Sequence, residues 1–111
     1  MSSNDLNVNI AHVKSLIKEF ERERDWDKYR NPKDLSMSIA IEAAELMEIF
    51  QWDTTDEADK IKESDKYEHF TEELADVLIY AISLATSLNI DIYQIIKEKL
   101  YKNSLKYPKK Y

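Results

Sequence analysis

A chain of 111 residues makes one domain, long enough to bury a core and too short for two. It contains no cysteine and no glycine, which excludes a disulfide framework, a zinc–thiolate site, a thiol nucleophile and every Gly-rich phosphate loop. A net charge of −6 argues against nucleic-acid binding, and no apolar run approaches the roughly 20 residues that a membrane span needs.

With two prolines and no glycine, tight hairpin turns are hard to make, and an all-α fold is expected. The first residues, Met1 to Leu6, lack the basic and apolar regions of a signal peptide, so a cytoplasmic protein is expected. From Asn9 to Arg24, Ile10, Val13, Ile17 and Phe20 keep helical spacing and Leu16 widens the stripe. Lys14, Lys18, Glu21 and Arg22 read as the solvated face of this first helix. The period breaks over Arg24–Asn31. Asn31-Pro32 then reads as an N-cap followed by proline at the first helical position, with Asp34 as the alternative cap.

The second helix runs to about Gln51 and is unusual. From Met37 to Phe50 its residues are apolar except Ser38, Glu42, Glu45 and Glu48, which recur at spacings of four and three. On a helix those four form one narrow row, where an ordinary amphipathic helix has a broad polar face. Such a helix is expected to be buried, and buried carboxylates need a cation or donors. After the polar connector Asp53–Asp56, Thr55 is expected to cap a short exposed helix over Asp56–Lys62. The third long helix starts between Ser64 and Thr71 and ends near Leu88, with Asn89 as its stop. It repeats the pattern: Glu73, Asp76, Tyr80, Ser83 and Ser87 form a polar row among apolar neighbours. Asp91 is expected to cap a last helix, packed through Ile92, Ile95, Ile96 and Leu100 and ending before Pro108. Four helices cannot cover the two apolar ones on every side, so a four-helix bundle-like domain that assembles as a homodimer or homotetramer is expected.

Glu42/Glu45 and Glu73/Asp76 are two acidic pairs at i, i+3. If their helices pack antiparallel, four carboxylates face one gap, where like charges repel strongly. Divalent cations relieve that repulsion, and all-oxygen ligands favour the hard ions Mg²⁺ or Mn²⁺. Di-iron bundles need Glu-x-x-His pairs, and here His12 and His69 lie elsewhere. Glu48 either supports these ligands or ends the row, and Glu72 faces solvent. Magnesium held by carboxylates usually keeps waters and meets substrate phosphates. Lys99, Asn103 and Lys106 share one face of the last helix and could supply matching charge, although lysines near a helix C-terminus also favour its dipole. Trp26, Trp52 and Tyr80 offer flat faces for a base, or belong to the core or an interface.

In this order, Arg24-Asp25-Trp26, Asn31-Pro32-Lys33-Asp34-Leu35, Glu42-x-x-Glu45-Leu46-x-Glu48-x-Phe50-Gln51-Trp52, Glu73-Leu74-x-Asp76-Val77-Leu78-Ile79-Tyr80 and Lys99-x-x-x-Asn103-x-x-Lys106-Tyr107-Pro108 follow one another. This series resembles the all-α nucleoside triphosphate pyrophosphohydrolases, the MazG-like superfamily, and within it the dCTP pyrophosphatase branch. The resemblance implies hydrolysis of a nucleoside triphosphate to the monophosphate and pyrophosphate by metal-assisted in-line attack of water. It implies Mg²⁺, or Mn²⁺ in its place, on Glu42, Glu45, Glu73 and Asp76, with Glu45 taking the proton from water. Lys99, Asn103 and Lys106 would hold the phosphates, and Trp26, Trp52 and Tyr80 would surround the base of dCTP or a modified pyrimidine nucleotide. Two positions depart from the dCTP-specific pattern, which has histidine where Ile17 and Arg30 stand here. Ile17 cannot hydrogen-bond a base edge, so a broader base range is expected. A non-catalytic nucleotide-binding or protein-interaction module of the same fold is the alternative.

Overall fold

The structure, a computed structural model, describes residues 2–110. Five α-helices and two 3₁₀ turns account for its regular structure: α1 (Ile10–Glu23), α2 (Pro32–Phe50), α3 (Thr55–Asp59), α4 (Tyr67–Ser87) and α5 (Ile92–Lys106), with 3₁₀ turns at Trp26–Lys28 and Ile61–Glu63. No strand occurs among the described residues.

The helix ends are set by local side-chain chemistry. Asn9 accepts a hydrogen bond from the His12 amide at the start of α1. Asn31, not Asp34, caps α2 by accepting from the Asp34 amide at 2.9 Å, and its own side-chain amide donates to Asp34 Oδ2 at 2.8 Å. Replacing Asn31 with alanine should therefore cost about 1 kcal/mol, measurable by urea denaturation; an unchanged midpoint would show that the cap contributes nothing. The short α3 begins one residue earlier than its charge pattern implied. Thr54 rather than Thr55 is its cap, because Glu57 three residues on completes a capping box with it.

A chain without glycine must place other residues where φ is positive, and it uses Asp25 (φ 57°) and Asn89 (φ 54°), residue types that tolerate this region. At Asn89 the turn closes α4 as a Schellman motif: the Ile90 amide donates to Ala85 O and the Asn89 amide to Thr86 O. Asp91 then caps α5 through the Gln94 amide, and the chain bends by 104° between α4 and α5.

The centre of the molecule is the α2–α4 pair. The rings of Phe50 and Phe70 meet at 5.5 Å, while Lys66 Nζ donates to Ile49 O and bridges to Asp53. Glu42 stands by Glu73 and Asp76, and Leu35 and Tyr80 share a cavity wall. Numbers rise along one helix as they fall along the other, so the pair is antiparallel. Leu35, only 1 % exposed, anchors its far end. α1 lies against α4, and Lys14, read from sequence as solvated, donates from Nζ to Ile90 O at 2.7 Å and fastens α1 to the α4–α5 turn.

The expected four-helix bundle does not close within one chain. α5 packs along none of α1, α2 or α4 to an extent comparable with the α2–α4 or α1–α4 contacts, and Ile95, Ile96, Leu100 and Leu105 on it remain exposed. So do Met37, Ile41 and Met47 on α2, the last at 66 %. No single helix among the described residues is long and apolar enough to cross a membrane.

Candidate functional site

Antiparallel packing turns the two acidic rows toward each other. Oxygen atoms of Glu42 on α2 and of Glu73 and Asp76 on α4 lie within 4.8 Å of one another, and all three residues are half-buried. Oε2 of Glu42 and Oε2 of Glu73 are buried without a hydrogen-bond partner. Burial above all, then contact with Glu73 and Glu45 and the charge of Glu45 and Asp76, pushes the Glu42 carboxyl up to about 7. Two carboxylate oxygens with no donor between them can coexist only by sharing a proton or a cation. Half-buried acids, two orphaned oxygens and a purely oxygen donor set together fit a hard divalent cation. Glu45, one turn from Glu42, is exposed and stands beside this group rather than within it. His69, set apart from the acids in the sequence reading, reaches Glu73 Oε1 at 3.2 Å; its i, i+4 spacing from Glu73 was the available signal.

Asp76 also lines a cavity of about 450 Å³ between α1, α4 and the Trp26 turn, whose other walls include Ile17, Phe20, Glu21, Trp26, Arg30 and Tyr80. This volume lies in the range of small-molecule sites, and so does the mixture of an apolar lining with a few convergent polar groups. Trp26 is presented here because Asp25 turns the chain sharply after α1, and its ring meets Phe20 edge-on at 5.6 Å. A smaller cavity of about 280 Å³ adjoins it, with Trp26, Arg30 and Tyr80 common to both.

Of the three aromatic residues expected around a base, Trp26 and Tyr80 line both cavities and Trp52 lines neither. Trp52 is 88 % exposed just beyond the end of α2 and lines neither cavity, because the chain turns away there toward α3. Lys99, Asn103 and Lys106 sit on α5, which does not pack along the pair bearing the acids, and none of them lines the cavity. Asn103 is half-buried, and its carbonyl accepts from the Tyr107 amide.

Glu21 and Arg30 were missed as a pair. Glu21 is 8 % exposed, accepts hydrogen bonds from Ser83 Oγ on both oxygens at 2.8 and 3.1 Å, and lies 3.1 Å from Arg30 Nε. The placement of Glu21 four residues after Ile17 was the sequence signal that it belongs to the inner face of α1.

The model of the MazG-like family matches residues 37–110. The chain is 34 % identical over 100 residues to dCTP pyrophosphatase 1 of Mus musculus and 35 % identical over 100 residues to that of Homo sapiens. In both comparisons the match takes in 89 % of this chain but only 59 % of the relative. A crystal structure of a pyrophosphatase from Archaeoglobus fulgidus superposes with a TM-score of 0.83 at 40 % identity, covering 98 % of this chain and 99 % of that one.

Proposed function

This chain belongs to the MazG-like family, and from that premise we propose that it hydrolyses a nucleoside or deoxynucleoside triphosphate to the monophosphate and pyrophosphate, clearing nucleotides from the cytoplasmic pool. The observation that carries the reading is Asp76, which belongs both to the half-buried carboxylate group and to the wall of the aromatic cavity. One side chain thus links a place for a polyphosphate's counter-ion to a place for a base. The names of the dCTP pyrophosphatases and of the archaeal pyrophosphatase support the same reaction class.

Glu42, Glu73 and Asp76, joined by Glu45 once its side chain turns inward, would hold Mg²⁺, with Mn²⁺ as a substitute. A divalent ion there would neutralise phosphate charge and act as a Lewis acid toward the phosphoryl oxygens. The protein's own share is positional. Trp26 and Tyr80 would hold the base by its faces in the cavity between α1, α4 and the Trp26 turn. Glu45, exposed on the acidic row as Glu48 is, would use an oxygen not engaged on the ion to accept a proton from the water that attacks the α-phosphorus.

Lys99, Asn103 and Lys106 complete the phosphate site when α5 docks on a second copy of the chain, as a homodimer or within a homotetramer. The exposed apolar residues of α5 and α2 support that assembly, since so large a bare surface is uncommon on a monomer. Trp52 would reach a base only across such an interface.

Incubating the protein with Mg²⁺ and a panel of dNTPs and NTPs, with products resolved by ion-exchange chromatography, tests the proposal. Monophosphate and pyrophosphate in equal amounts are expected. Release of inorganic phosphate, or no turnover of any nucleotide, would overturn it.

A further inference from the structure

The cavity beside Asp76 contains an ion pair that a merely apolar base pocket would not need. Glu21 is held from behind by Ser83 and faced by Arg30. The Arg30 guanidinium also lies 5.4 Å from the Trp26 ring and 5.1 Å from the Tyr80 ring. Aromatic faces attract a guanidinium, so three contacts fix it at the boundary of the two cavities that it lines.

Of the two partners the donor is the more accessible, the Arg30 side chain being 19 % exposed and that of Glu21 10 %. The single Ser83 hydroxyl proton is shared between the two Glu21 oxygens, and Oε2 also faces Arg30. By contrast, the buried Arg30 Nε has no acceptor in hydrogen-bond geometry, and neither Nη donates to any group among the described residues. A guanidinium carries only donors. The cavity therefore offers a bound base the Nη groups of Arg30 ahead of the Glu21 carboxylate, which also lines it but is the less exposed of the two and already paired with Arg30.

Orientation follows from α4. Asp76, Tyr80 and Ser83 lie on one row, and seven residues of helix separate the acid end from the Ser83–Glu21–Arg30 end by about 10 Å. A nucleotide with its phosphates at the acid end and its base beside Tyr80 directs the base edge farthest from the sugar toward Arg30. At that edge a 4-oxopyrimidine or 6-oxopurine presents a carbonyl, which accepts. Cytosine and adenine present an amine there, which leaves donor against donor.

We propose that Arg30, positioned by Glu21 and Ser83, selects bases bearing a carbonyl at this edge (uracil, thymine, guanine and their oxo-derivatives) over cytosine and adenine. The inference rests on the base occupying the cavity, as in the proposed function, but not on hydrolysis. A site built to hydrogen-bond one group discriminates strongly against an analogue that cannot pair with it; because Arg30 is only partly enclosed, a ratio of about 10 to 100 is expected rather than the larger values of fully buried sites.

Calorimetric binding of dUMP, dCMP, dGMP and dAMP tests selection without turnover, and kcat/KM for the four corresponding triphosphates tests it with turnover. The wild type should favour dUMP over dCMP and dGMP over dAMP at least tenfold. Arg30→Gln, whose amide both donates and accepts, should bring each ratio to within about threefold. Glu21→Gln, isosteric and still able to bond Ser83, should lower the ratios in the same direction, and it provides the reading if Arg30→Gln does not fold. Preference for dCMP or dAMP in the wild type, or an equal loss for all four bases in both variants, would overturn the proposal. If selective binding appears with no turnover, the proposed hydrolysis fails and the selection stands.

Discussion

Glu73→Gln should lower pyrophosphate release about 10³-fold, the scale on which removal of one electrostatic contributor acts in an active site, while leaving the protein folded and no less stable. The substitution keeps the shape of the side chain and removes one negative charge from the group it forms with Glu42 and Asp76. In the metal-free protein that charge is a liability, since Glu73 Oε2 is buried without a donor and helps to raise the Glu42 carboxyl. An amide in its place can donate to Glu42 and relieve the repulsion. Activity and stability should thus move in opposite directions, a combination that a structural residue does not produce. Steady-state pyrophosphate release and a thermal melt without metal are the two measurements. Loss of both together would mean that Glu73 supports the fold rather than a cation, and retention of activity would remove it from the ligand set.

Local features of the fold were the ones legible in the sequence. Helix ends were legible wherever a cap is chemistry within four residues: Asn9, Asn31 and Asp91 each bond an amide three residues ahead, and Asn89 takes the positive φ that stops α4. Even the misplaced start of α3 was readable, since Thr54 and Glu57 have capping-box spacing whereas Thr55 and Ala58 do not. The acidic rows were legible for a related reason. Charge at i, i+3 on an otherwise apolar helix announces a buried carboxylate before its partner helix is known.

Long-range placement was less accessible. Glu21 looked like surface because its partners lie outside α1: Ser83 is 62 residues away on α4, and Arg30 stands in the connector between the Trp26 turn and α2. Nothing in the periodicity of α1 shows that a carboxylate among its inner residues has two groups waiting for it. Helix α5 has the opposite history: its apolar stripe was visible, but a stripe identifies only that a helix packs, not on what. Within one chain α5 leaves α4 at 104° and its stripe stays bare. The three residues expected to hold phosphate are therefore carried on the element whose position least depends on local sequence.

A last expectation concerns the carboxylate group itself, and its sign distinguishes a cation site from a patch of surface acids. Glu42 titrates near its ordinary 4.5 in the unfolded chain and near 7 in the folded one, so folding takes up a proton between those values. Its contribution to stability is fully present below about 4.5 and is lost as pH rises through about 7. At 1.36 kcal/mol per pH unit, discounted because the group is only half-buried, the loss is about 2 kcal/mol. For a domain of this size that corresponds to a fall in Tm on the order of 8 °C between pH 5 and pH 8, relative to Glu42→Gln, which has no proton to lose. Saturating Mg²⁺ should return the lost stability at pH 8, about 2.7 kcal/mol at a hundred times the dissociation constant, and much less at pH 5, where the Glu42 proton competes with the cation. Thermal melts of both proteins at the two pH values, with and without Mg²⁺, make the comparison. A Mg²⁺ shift of equal size at both pH values would place the ion elsewhere on this acidic chain, and no shift at pH 8 would show that the buried carboxylates hold no cation at all.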